Sequence, residues 1–335
     1  MKKTNVAVVG ATGETGSSIV EALLDTGNFE ITALTRPESL SKPANDRLRE
    51  RSVHVRQLDL AADHATLVDS LRGVDTVIVA ISPYDYRVQI PLATAAKEAG
   101  VQRFVPSSFT SVAPAGGVLG LRDEKEEVYQ HLRNIKLPYT VIDVGWWYQG
   151  SLPRVPSGKL DHVALFSKTE IAGDGNVPSA ITDQRDVGRY VARIIQDART
   201  IDNFVMAYNE LWSANEVFAK VEEITGETLK RLYISEDELR AKLDRSVRAL
   251  NSDPTNGKAA WDKVTTEYQL SMEILGDNTP ESAKALGYIT SKELYPDFKF
   301  TRFEDVIRES LEGGGYIPYQ SNEKMKEMMR EFHGK

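Results

Sequence analysis

The sequence predicts an α/β fold: a doubly wound parallel β-sheet, followed by a smaller and mainly helical region. Two observations support this prediction. Short apolar runs typical of buried strands alternate with segments whose apolar residues recur at helical spacing. The first of these runs, residues 6–9, leads directly into three glycines spaced three residues apart. Such alternation indicates right-handed strand–helix–strand crossovers, which place the strands parallel.

The predicted elements of the sheet follow one another through residues 1–150. The strands are short apolar runs, as expected where helices cover both faces of a sheet, and the helices carry one apolar face. The predicted strands are residues 6–9, 30–35, 53–58, 75–81, 103–106 and 139–144, and the predicted helices are residues 17–24, 64–71, 88–98 and 122–135.

The three glycines occupy the bend between the first strand and the first helix. Gly10 permits the turn, Gly13 lets the backbone approach a pyrophosphate, and Gly16 lets the helix pack closely on the strand. The helix N-terminus then offers unpaired N–H groups to phosphates. An ordinary glycine-rich turn is the alternative, but the strand before and the helix after favour a Rossmann-type dinucleotide site. Its predicted phosphate-binding residues are Gly10, Thr12, Gly13, Glu14, Thr15 and Gly16.

The end of the second predicted strand indicates which dinucleotide binds. Arg36 stands where an NAD-specific site would carry Asp or Glu for the ribose hydroxyls. A guanidinium suits a 2′-phosphate instead, and Lys42 would add a second positive charge. Both residues could also be solvated surface cations. The position of Arg36 favours NADPH as the cofactor.

Polar side chains follow several predicted strands, where ligands bind in doubly wound sheets. We expect these side chains to contact the adenine, the ribose or the nicotinamide amide, although each is also a common turn or cap residue. The predicted cofactor contacts at these strand ends are Asp59, Ser82 and Ser107, with Ser108 beside them.

Composition excludes several classes of protein. The 335 residues carry a net charge of −8, which argues against binding nucleic acid through phosphate contacts. Cysteine is absent, so disulfides and thiolate chemistry are excluded, and the five histidines lack metal-ligand spacing. No signal peptide or membrane span is predicted. We therefore expect a cytoplasmic protein without a metal site, whose partner is a small molecule; the oligomeric state stays open.

One lysine is the candidate catalytic residue. Leu121, Lys125, Val128 and Leu132 fall on one face of the helix predicted at 122–135. Desolvation there would lower the pKa of Lys125 from about 10.4 toward about 7–8, where an amine can donate or accept a proton. The alternative is a lysine at the edge of the apolar face that pairs with a neighbouring Glu. The Y-x-x-x-K motif of typical short-chain dehydrogenases is missing from this helix.

Several segments together resemble one family. They are Gly10-Ala-Thr-Gly-Glu-Thr-Gly16, Arg36-Pro37, residues 101–109 (VQRFVPSSF) and Lys125, thirteen residues before Pro138. This set is similar to the NmrA-like, isoflavone reductase-like atypical short-chain dehydrogenases, specifically over residues 1–150. The resemblance implies NADPH, with Arg36 contacting the 2′-phosphate. It also implies that Lys125 is the catalytic residue, which contacts the nicotinamide ribose or relays a proton.

Two segments depart from that family and concern the substrate. Plant members usually carry P-S-E-F-G after the fifth strand, whereas here Ser108 replaces the acid and Thr110 the glycine. After the sixth strand, residues 145–150 read GWWYQG in place of an Asn-Cys-Phe-type segment. Both segments are expected to line the substrate pocket, and three adjacent aromatic residues indicate a flat aromatic or apolar ligand, unless they belong to the core. The predicted substrate-binding residues are Ser108, Phe109, Trp146, Trp147 and Tyr148.

Residues 151–335 are predicted as the substrate-binding region, with a segment at about 177–210 that returns to the main sheet. Pairs that fit the S/T-x-x-E capping box predict helix starts at Ser213, Ser235 and Thr301. Residues 236–290 are expected to be mainly helical, and their role is not predicted.

The leading hypothesis is an NADPH-dependent reductase that transfers hydride to a small aromatic or conjugated carbonyl or enone, with Lys125 as general acid. One alternative is an NmrA-like regulatory protein that senses NADP without turnover. A third is an epimerase or isomerase that retains its cofactor. No residue identifies the substrate or its stereochemistry.

Overall fold

The fold is described from a computed structural model, for residues 3–81, 86–166 and 170–320. The strands are β1 (Thr4–Val9), β2 (Phe29–Thr35), β3 (His54–Gln57), β4 (Thr76–Val79), β5 (Arg103–Val105), β6 (Thr140–Asp143), β7 (Trp146–Trp147), β8 (Glu170–Ala172), β9 (Ser179–Thr182), β10 (Asn203–Met206), β11 (Glu210–Trp212), β12 (Leu232–Ile234) and β13 (Tyr288–Thr290).

The α-helices are α1 (Glu14–Thr26), α2 (Pro43–Glu50), α3 (His64–Ser70), α4 (Gln89–Glu98), α5 (Gly120–Asn134), α6 (Tyr148–Ser151), α7 (Gln184–Ile194), α8 (Ala214–Thr225), α9 (Glu236–Ser252), α10 (Gly257–Gln269), α11 (Pro280–Ala285), α12 (Ser291–Leu294) and α13 (Phe303–Leu311). A π-helical segment, Leu270–Ile274, continues α10.

The chain divides into two compact units. Unit 1 comprises residues 1–109, 123–143 and 184–207, and unit 2 comprises residues 110–122, 144–183 and 208–335. The sequence predicted one boundary near residue 150 with a return at about 177–210. In the structure, residues 184–207, which contain α7 and β10, belong to unit 1. The chain also crosses between the units at each end of residues 110–122 and after residue 143.

Unit 1 is built on a parallel sheet in the order β3-β2-β1-β4-β5. A bridge between Phe104 and Tyr139 connects β5 to β6, and β6 pairs in parallel with β10. Residues 6–9 of β1 are at most 6% exposed, as expected for a strand between two neighbours and under helices on both faces. The strand order reverses at β1, where ligands bind in such sheets. The predicted fold class is confirmed.

The ends of the predicted elements lie within three residues of those in the structure, and several coincide with them. Helix α2 was not predicted. Only Asn45 and Leu48 of its eight residues are buried, so the segment has no apolar periodicity for the sequence to reveal. It begins at Pro43, whose fixed φ favours the first helical position.

Unit 2 combines small sheets with helices. Strand β9 pairs in parallel with β7 and antiparallel with β11, and β12 pairs in parallel with β8. Its largest apolar cluster includes Tyr148, Ile181, Phe218 and Phe303, which come from β9 and from helices α6, α8 and α13. None of the helices in the described ranges is long and apolar enough to cross a bilayer.

The capping boxes predicted at Ser213 and Ser235 are confirmed, with Glu216 and Glu238 as their reciprocal partners. The one predicted at Thr301 is wrong. Helix α13 starts one residue later, after Arg302, which makes no side-chain cap. The Thr301 carbonyl instead accepts a hydrogen bond from the Tyr148 hydroxyl, so tertiary contact decides where the helix begins.

Candidate active site

The glycine-rich turn after β1 is tightly packed, as the predicted phosphate-binding turn requires. A Cβ on Gly10, whose φ is +81°, would lie 2.2 Å from the carbonyl oxygen of Ala80. A Cβ on Gly16 would lie 2.0 Å from the carbonyl oxygen of Gly10. Real Cβ atoms do not approach backbone oxygens so closely, so both positions require glycine. Gly13 has more room, with its nearest such contact at 3.3 Å.

The N-terminus of α1 is open toward a ligand. Gly13 is the N-cap and makes no side-chain cap hydrogen bond. Thr12 and Gly13 are exposed, and Glu14 and Thr15 are half-buried. Because the first N–H groups of a helix have no intrahelical acceptor, this turn presents backbone donors and the positive end of the helix dipole to solvent.

The two candidate cations for a 2′-phosphate lie on the surface of unit 1. The Arg36 side chain follows β2, is 70% exposed, and its Nε lies 3.3 Å from Glu38 Oε1. Lys42 is also exposed and is the N-cap of α2. An exposed ion pair such as Arg36–Glu38 is worth little in water, so it leaves the guanidinium able to exchange its partner for a phosphate.

The strand-end residues have different surroundings. Asp59 is exposed, and its carboxylate accepts a hydrogen bond from the backbone N–H of Ala61, which makes it a turn residue. Ser107 is buried; its hydroxyl donates to the carbonyl of Ile81, and its N–H donates to Gln89 Oε1. Ser82 lies outside the described residues. The predicted cofactor contacts of these three residues stay predictions.

Lys125 lies on the buried face of α5 that its spacing predicts. Its side chain is 3% exposed, and its neighbours on that face are Val128, Tyr129 and Leu132. Its Nζ lies 3.4 Å from the carbonyl oxygen of Ser108 and 5.5 Å from the centre of the Tyr86 ring. The amine is therefore withdrawn from water into unit 1.

A carboxylate that the sequence did not predict stands beside this lysine. Asp143 ends β6, its side chain is 3% exposed, and its Oδ1 lies 3.9 Å from Lys125 Nζ. The hydroxyl of Ser108 donates to the same oxygen, and the Tyr129 hydroxyl donates to Ser108 Oγ at 3.2 Å. Desolvation alone would favour the neutral amine, but an adjacent negative charge favours the ammonium. From the sequence, only the desolvation of Lys125 could be predicted.

Ser108 and Phe109, both predicted to contact substrate, are buried in unit 1. The Ser108 side chain is occupied by Asp143 and Tyr129. Phe109 has a φ of +46°, which is strained for a bulky residue, and its N–H donates to the carbonyl of Ile142. Strain of this kind often marks functional segments. The substrate contacts of both residues stay predictions.

Unit 2 contains a cavity of about 290 Å³ with aromatic walls. Four rings form a continuous series: Trp146 lies 4.8 Å from Tyr268 and 6.0 Å from Phe166, and Phe166 lies 5.5 Å from Trp261, between ring centres. Trp212 and Met272 also line the cavity. Its polar lining residues include Ser151, Ser213, Thr265 and Gln269, and its charged ones are Glu170, Lys242, Asp262 and Glu273. A cavity of this size, with aromatic walls and several polar and charged groups, fits a flat apolar ligand that also carries polar substituents.

Of the three adjacent aromatic residues that the sequence singled out, only Trp146 lines this cavity. Trp147 follows it on β7 and has Tyr319 as a ring neighbour, 6.3 Å away. Tyr148 is fully buried, and its hydroxyl donates to Glu210 Oε2 and to the carbonyl of Thr301. Burial raises the pKa of Tyr148 well above its ordinary value of 10.0, and the charge of Glu210 adds to the shift. Tyr148 is thus part of the core of unit 2.

Sequence reasoning missed most of the cavity wall, including Phe166, Trp212, Trp261 and Tyr268. A signal was present in α10 and the π-helical segment after it. Trp261, Thr265, Tyr268 and Met272 recur at i, i+4, i+7 and i+11, and all four line the cavity. In a helix whose other residues include Lys258, Lys263 and Glu267, aromatic residues at helical spacing predict contact with another apolar group.

Comparison with known proteins shows to which family this chain belongs. Residues 2–307 match the model of the NmrA-like family. The chain belongs to this family. Asnovolin J 5′,6′-dehydrogenase of Aspergillus novofumigatus is 49% identical over 92% of this chain and 96% of its own length. The predicted family is confirmed.

Solved structures agree with this assignment. An isoflavone reductase structure superposes with a TM-score of 0.75 at 26% identity and covers 92% of this chain and 99% of its own. The structure of AtPrR2 with NADP⁺ and (+)-pinoresinol also has a TM-score of 0.75, at 25% identity and with the same coverage. This NmrA-like protein is an NAD(P)-dependent oxidoreductase of the isoflavone reductase-like type.

Proposed function

We propose that this NmrA-like protein binds NADPH on unit 1 and reduces an aromatic or conjugated carbonyl or enone, with Lys125 as the proton donor. The main support for this proposal is the position of Lys125. Its amine is 3% exposed and lies beside a carboxylate, in the same unit as the uncapped, glycine-lined N-terminus of α1. Removing a charged amine from water costs free energy. A role of Lys125 in the reaction would explain why this cost is tolerated.

The residues of unit 1 fit a dinucleotide. Gly10 and Gly16 leave no space for a side chain between β1, β4 and α1. A pyrophosphate would therefore meet the backbone N–H groups of the first turn of α1, after the N-cap Gly13. Arg36 would hold the 2′-phosphate, with Lys42 as a second cation. The cofactor supplies a hydride when bound. The relative solved with NADP⁺ supports the choice of NADPH.

Lys125 would complete the reduction by supplying a proton. When a hydride adds to the carbonyl carbon, or to the far carbon of an enone, negative charge develops on the substrate oxygen. The ammonium of Lys125 stabilises that charge and donates a proton to it, and its lone pair then remains on a neutral amine beside Asp143. Water later returns the proton.

The aromatic cavity of unit 2 supports a bulky apolar substrate. The four rings at Trp146, Phe166, Trp261 and Tyr268 offer flat surfaces on which conjugated or polycyclic compounds stack. We infer that this cavity holds the apolar part of the substrate. The activities that the names of the plant relatives give are not transferred to this chain, because residues 145–150 differ from the plant pattern.

A second candidate is the reverse reaction. The relative that is 49% identical is named a dehydrogenase, so oxidation of a substrate by NADP⁺ is the matching possibility here. The same residues would serve: Lys125 in its neutral form would accept the proton that it donates in the forward direction, as microscopic reversibility requires. The names of the relatives are those of enzymes, which disfavours a sensor without turnover.

The test is an assay of the purified protein in both directions. NADPH oxidation is followed with a panel of conjugated aldehydes, ketones and enones of increasing ring number. NADP⁺ reduction is followed with the corresponding alcohols and saturated ketones. The proposal expects turnover of at least one bulky conjugated compound with NADPH. Turnover only with NADP⁺ would establish the dehydrogenase instead, and cofactor binding without turnover in either direction would support the sensor.

A further inference from the structure

Two oppositely charged side chains are sealed together inside unit 1. The side chains of Lys125 and Asp143 are each 3% exposed, and Lys125 Nζ lies 3.9 Å from Asp143 Oδ1. They come from different elements, since α5 carries the lysine and β6 ends with the aspartate. Charges in such surroundings interact far more strongly than on the surface, because water does not screen them.

The carboxylate is itself held in place by two hydroxyls. Ser108 follows β5, and its hydroxyl donates to Asp143 Oδ1. The Tyr129 hydroxyl, one turn along α5 from Lys125, donates to Ser108 Oγ at 3.2 Å. The carbonyl of Ser108 also accepts from Lys125 at 3.4 Å. Tyr129, Ser108 and Asp143 therefore form a chain of donors and acceptors that ends at the carboxylate beside the lysine.

Two further carboxylates of α5 have partners of their own. On α5, Glu126 pairs with Arg133, and Glu127 accepts two hydrogen bonds from Arg87. The segment before α4 contributes the ring of Tyr86, whose centre lies 5.5 Å from Lys125 Nζ. Residues 82–85 lie outside the described residues. The structure pairs Lys125 with Asp143 inside unit 1.

We propose that Asp143 is a positioning residue that keeps Lys125 in its ammonium form and fixes the direction of its Nζ. Ser108 and Tyr129 hold Asp143 for this task. The catalytic part of this inference rests on the proposed function, in which Lys125 donates a proton. A proton donor must be charged before the reaction, and a buried amine without a counter-charge would lose its proton near neutral pH. Asp143 prevents that loss.

The pairing is tested without substrate, by thermal unfolding of the full-length protein as a function of pH. Removing the charge in Asp143→Asn should lower the melting temperature by roughly 5–10 °C at pH 7, because a buried lysine is left unpaired. In that variant the pKa of Lys125 in the folded state falls below its unfolded value, so the folded protein binds fewer protons. Its stability then rises with pH, and the gap to the unaltered protein should narrow between pH 7 and pH 10.

Two variants serve as controls for this unfolding experiment. Ser108→Ala removes a hydrogen bond but no charge, and its loss of melting temperature should not vary with pH. The double variant Lys125→Met/Asp143→Asn removes both charges, so it should melt above Lys125→Met, which leaves the carboxylate alone. If Asp143→Asn does not fold, the comparison of the double variant with Lys125→Met still tests whether the two side chains are paired. Parallel, pH-independent losses in Asp143→Asn and Ser108→Ala, with additive effects in the double variant, would overturn the pairing.

The catalytic part is tested by the pH dependence of kcat/KM with a compound that the unaltered protein turns over. Asp143→Asn should move the fall of activity at high pH to lower pH by at least about one unit, because the donor loses its proton earlier. Asp143→Glu should restore the original pH of this fall. Ser108→Ala should lower kcat/KM without changing the pH at which it falls. An unmoved profile in Asp143→Asn would contradict the positioning role. If no compound is turned over, the proposed function fails, whereas the unfolding experiment still decides the pairing.

Discussion

Arg36 is a single exposed cation that is expected to determine whether NADPH or NADH binds more tightly. Its Nε lies 3.3 Å from Glu38 Oε1, and both side chains are mostly exposed. Solvent screening makes this pair weak, whereas a dianionic 2′-phosphate would bind the guanidinium in a bidentate manner. Glu38, in turn, would repel that phosphate if it stayed nearby.

Changing these two side chains should alter cofactor preference in opposite directions. We expect Arg36→Asp to reverse the preference for NADPH over NADH, because a carboxylate repels the 2′-phosphate and accepts hydrogen bonds from ribose hydroxyls. Glu38→Ala should tighten NADPH severalfold and leave NADH unchanged. Calorimetric titration of both dinucleotides measures the affinities. Equal affinities for NADPH and NADH in the unaltered protein would contradict the assignment of Arg36.

Tyr148 provides a prediction about pH and stability. Burial, together with the charge of Glu210, raises the pKa of its hydroxyl above 10.0 in the folded protein. The phenol thus stays protonated when folded, while the unfolded chain ionises above pH 10, and folding loses stability as pH rises past that point. Tyr148→Phe lacks this loss. Its melting temperature should fall less steeply than that of the unaltered protein above pH 10; parallel curves would contradict the burial of this hydroxyl.

At the scale of elements, strand β7 places two adjacent tryptophans in different surroundings. Successive side chains on a strand point to opposite faces. Accordingly, Trp146 lines the aromatic cavity, whereas Trp147 does not and instead has Tyr319 as a neighbour. Because both tryptophans are half-buried, they form a matched pair for testing the cavity.

We expect Trp146→Leu to raise KM for a turned-over conjugated substrate at least about tenfold, since it removes the ring between Tyr268 and Phe166. Trp147→Leu should leave KM within about twofold of the unaltered value. Steady-state kinetics gives both numbers, and melting temperatures control for folding. Equal effects of the two changes would mean that this cavity does not select the substrate.

How far the sequence predicts an element depends on whether its signal is local. The turn at residues 10–16 was predictable because its steric demands are met by glycines in a short stretch. Asp143 was not, since nothing within β6 shows that its last residue faces a lysine on α5. Trp261 and Tyr268 had a visible helical spacing on α10, but the partners that make them a cavity wall, Trp146 and Phe166, are far away in sequence.

For the molecule as a whole, the sheet was predictable, whereas the division of the chain was predictable only in part. Alternating strands and helices predict parallel order through β6. The return of α7 to unit 1 depends on a close contact: a Cβ on Gly188 would lie 1.9 Å from the carbonyl oxygen of Ser18 on α1. Such a contact between distant residues leaves no periodic pattern. The return of a segment at about 177–210 was predicted from the sequence, but the assignment of residues 110–122 to unit 2 became evident only from the structure.

The central claim is that Lys125 supplies the proton for hydride transfer from bound NADPH. The most direct measurement compares the unaltered protein with Lys125→Met, in NADPH oxidation by a turned-over conjugated carbonyl compound and in calorimetric NADPH affinity. We predict a loss of kcat of at least about a hundredfold with an NADPH affinity within a few fold. An unchanged kcat in Lys125→Met would contradict the role of Lys125 as the proton donor.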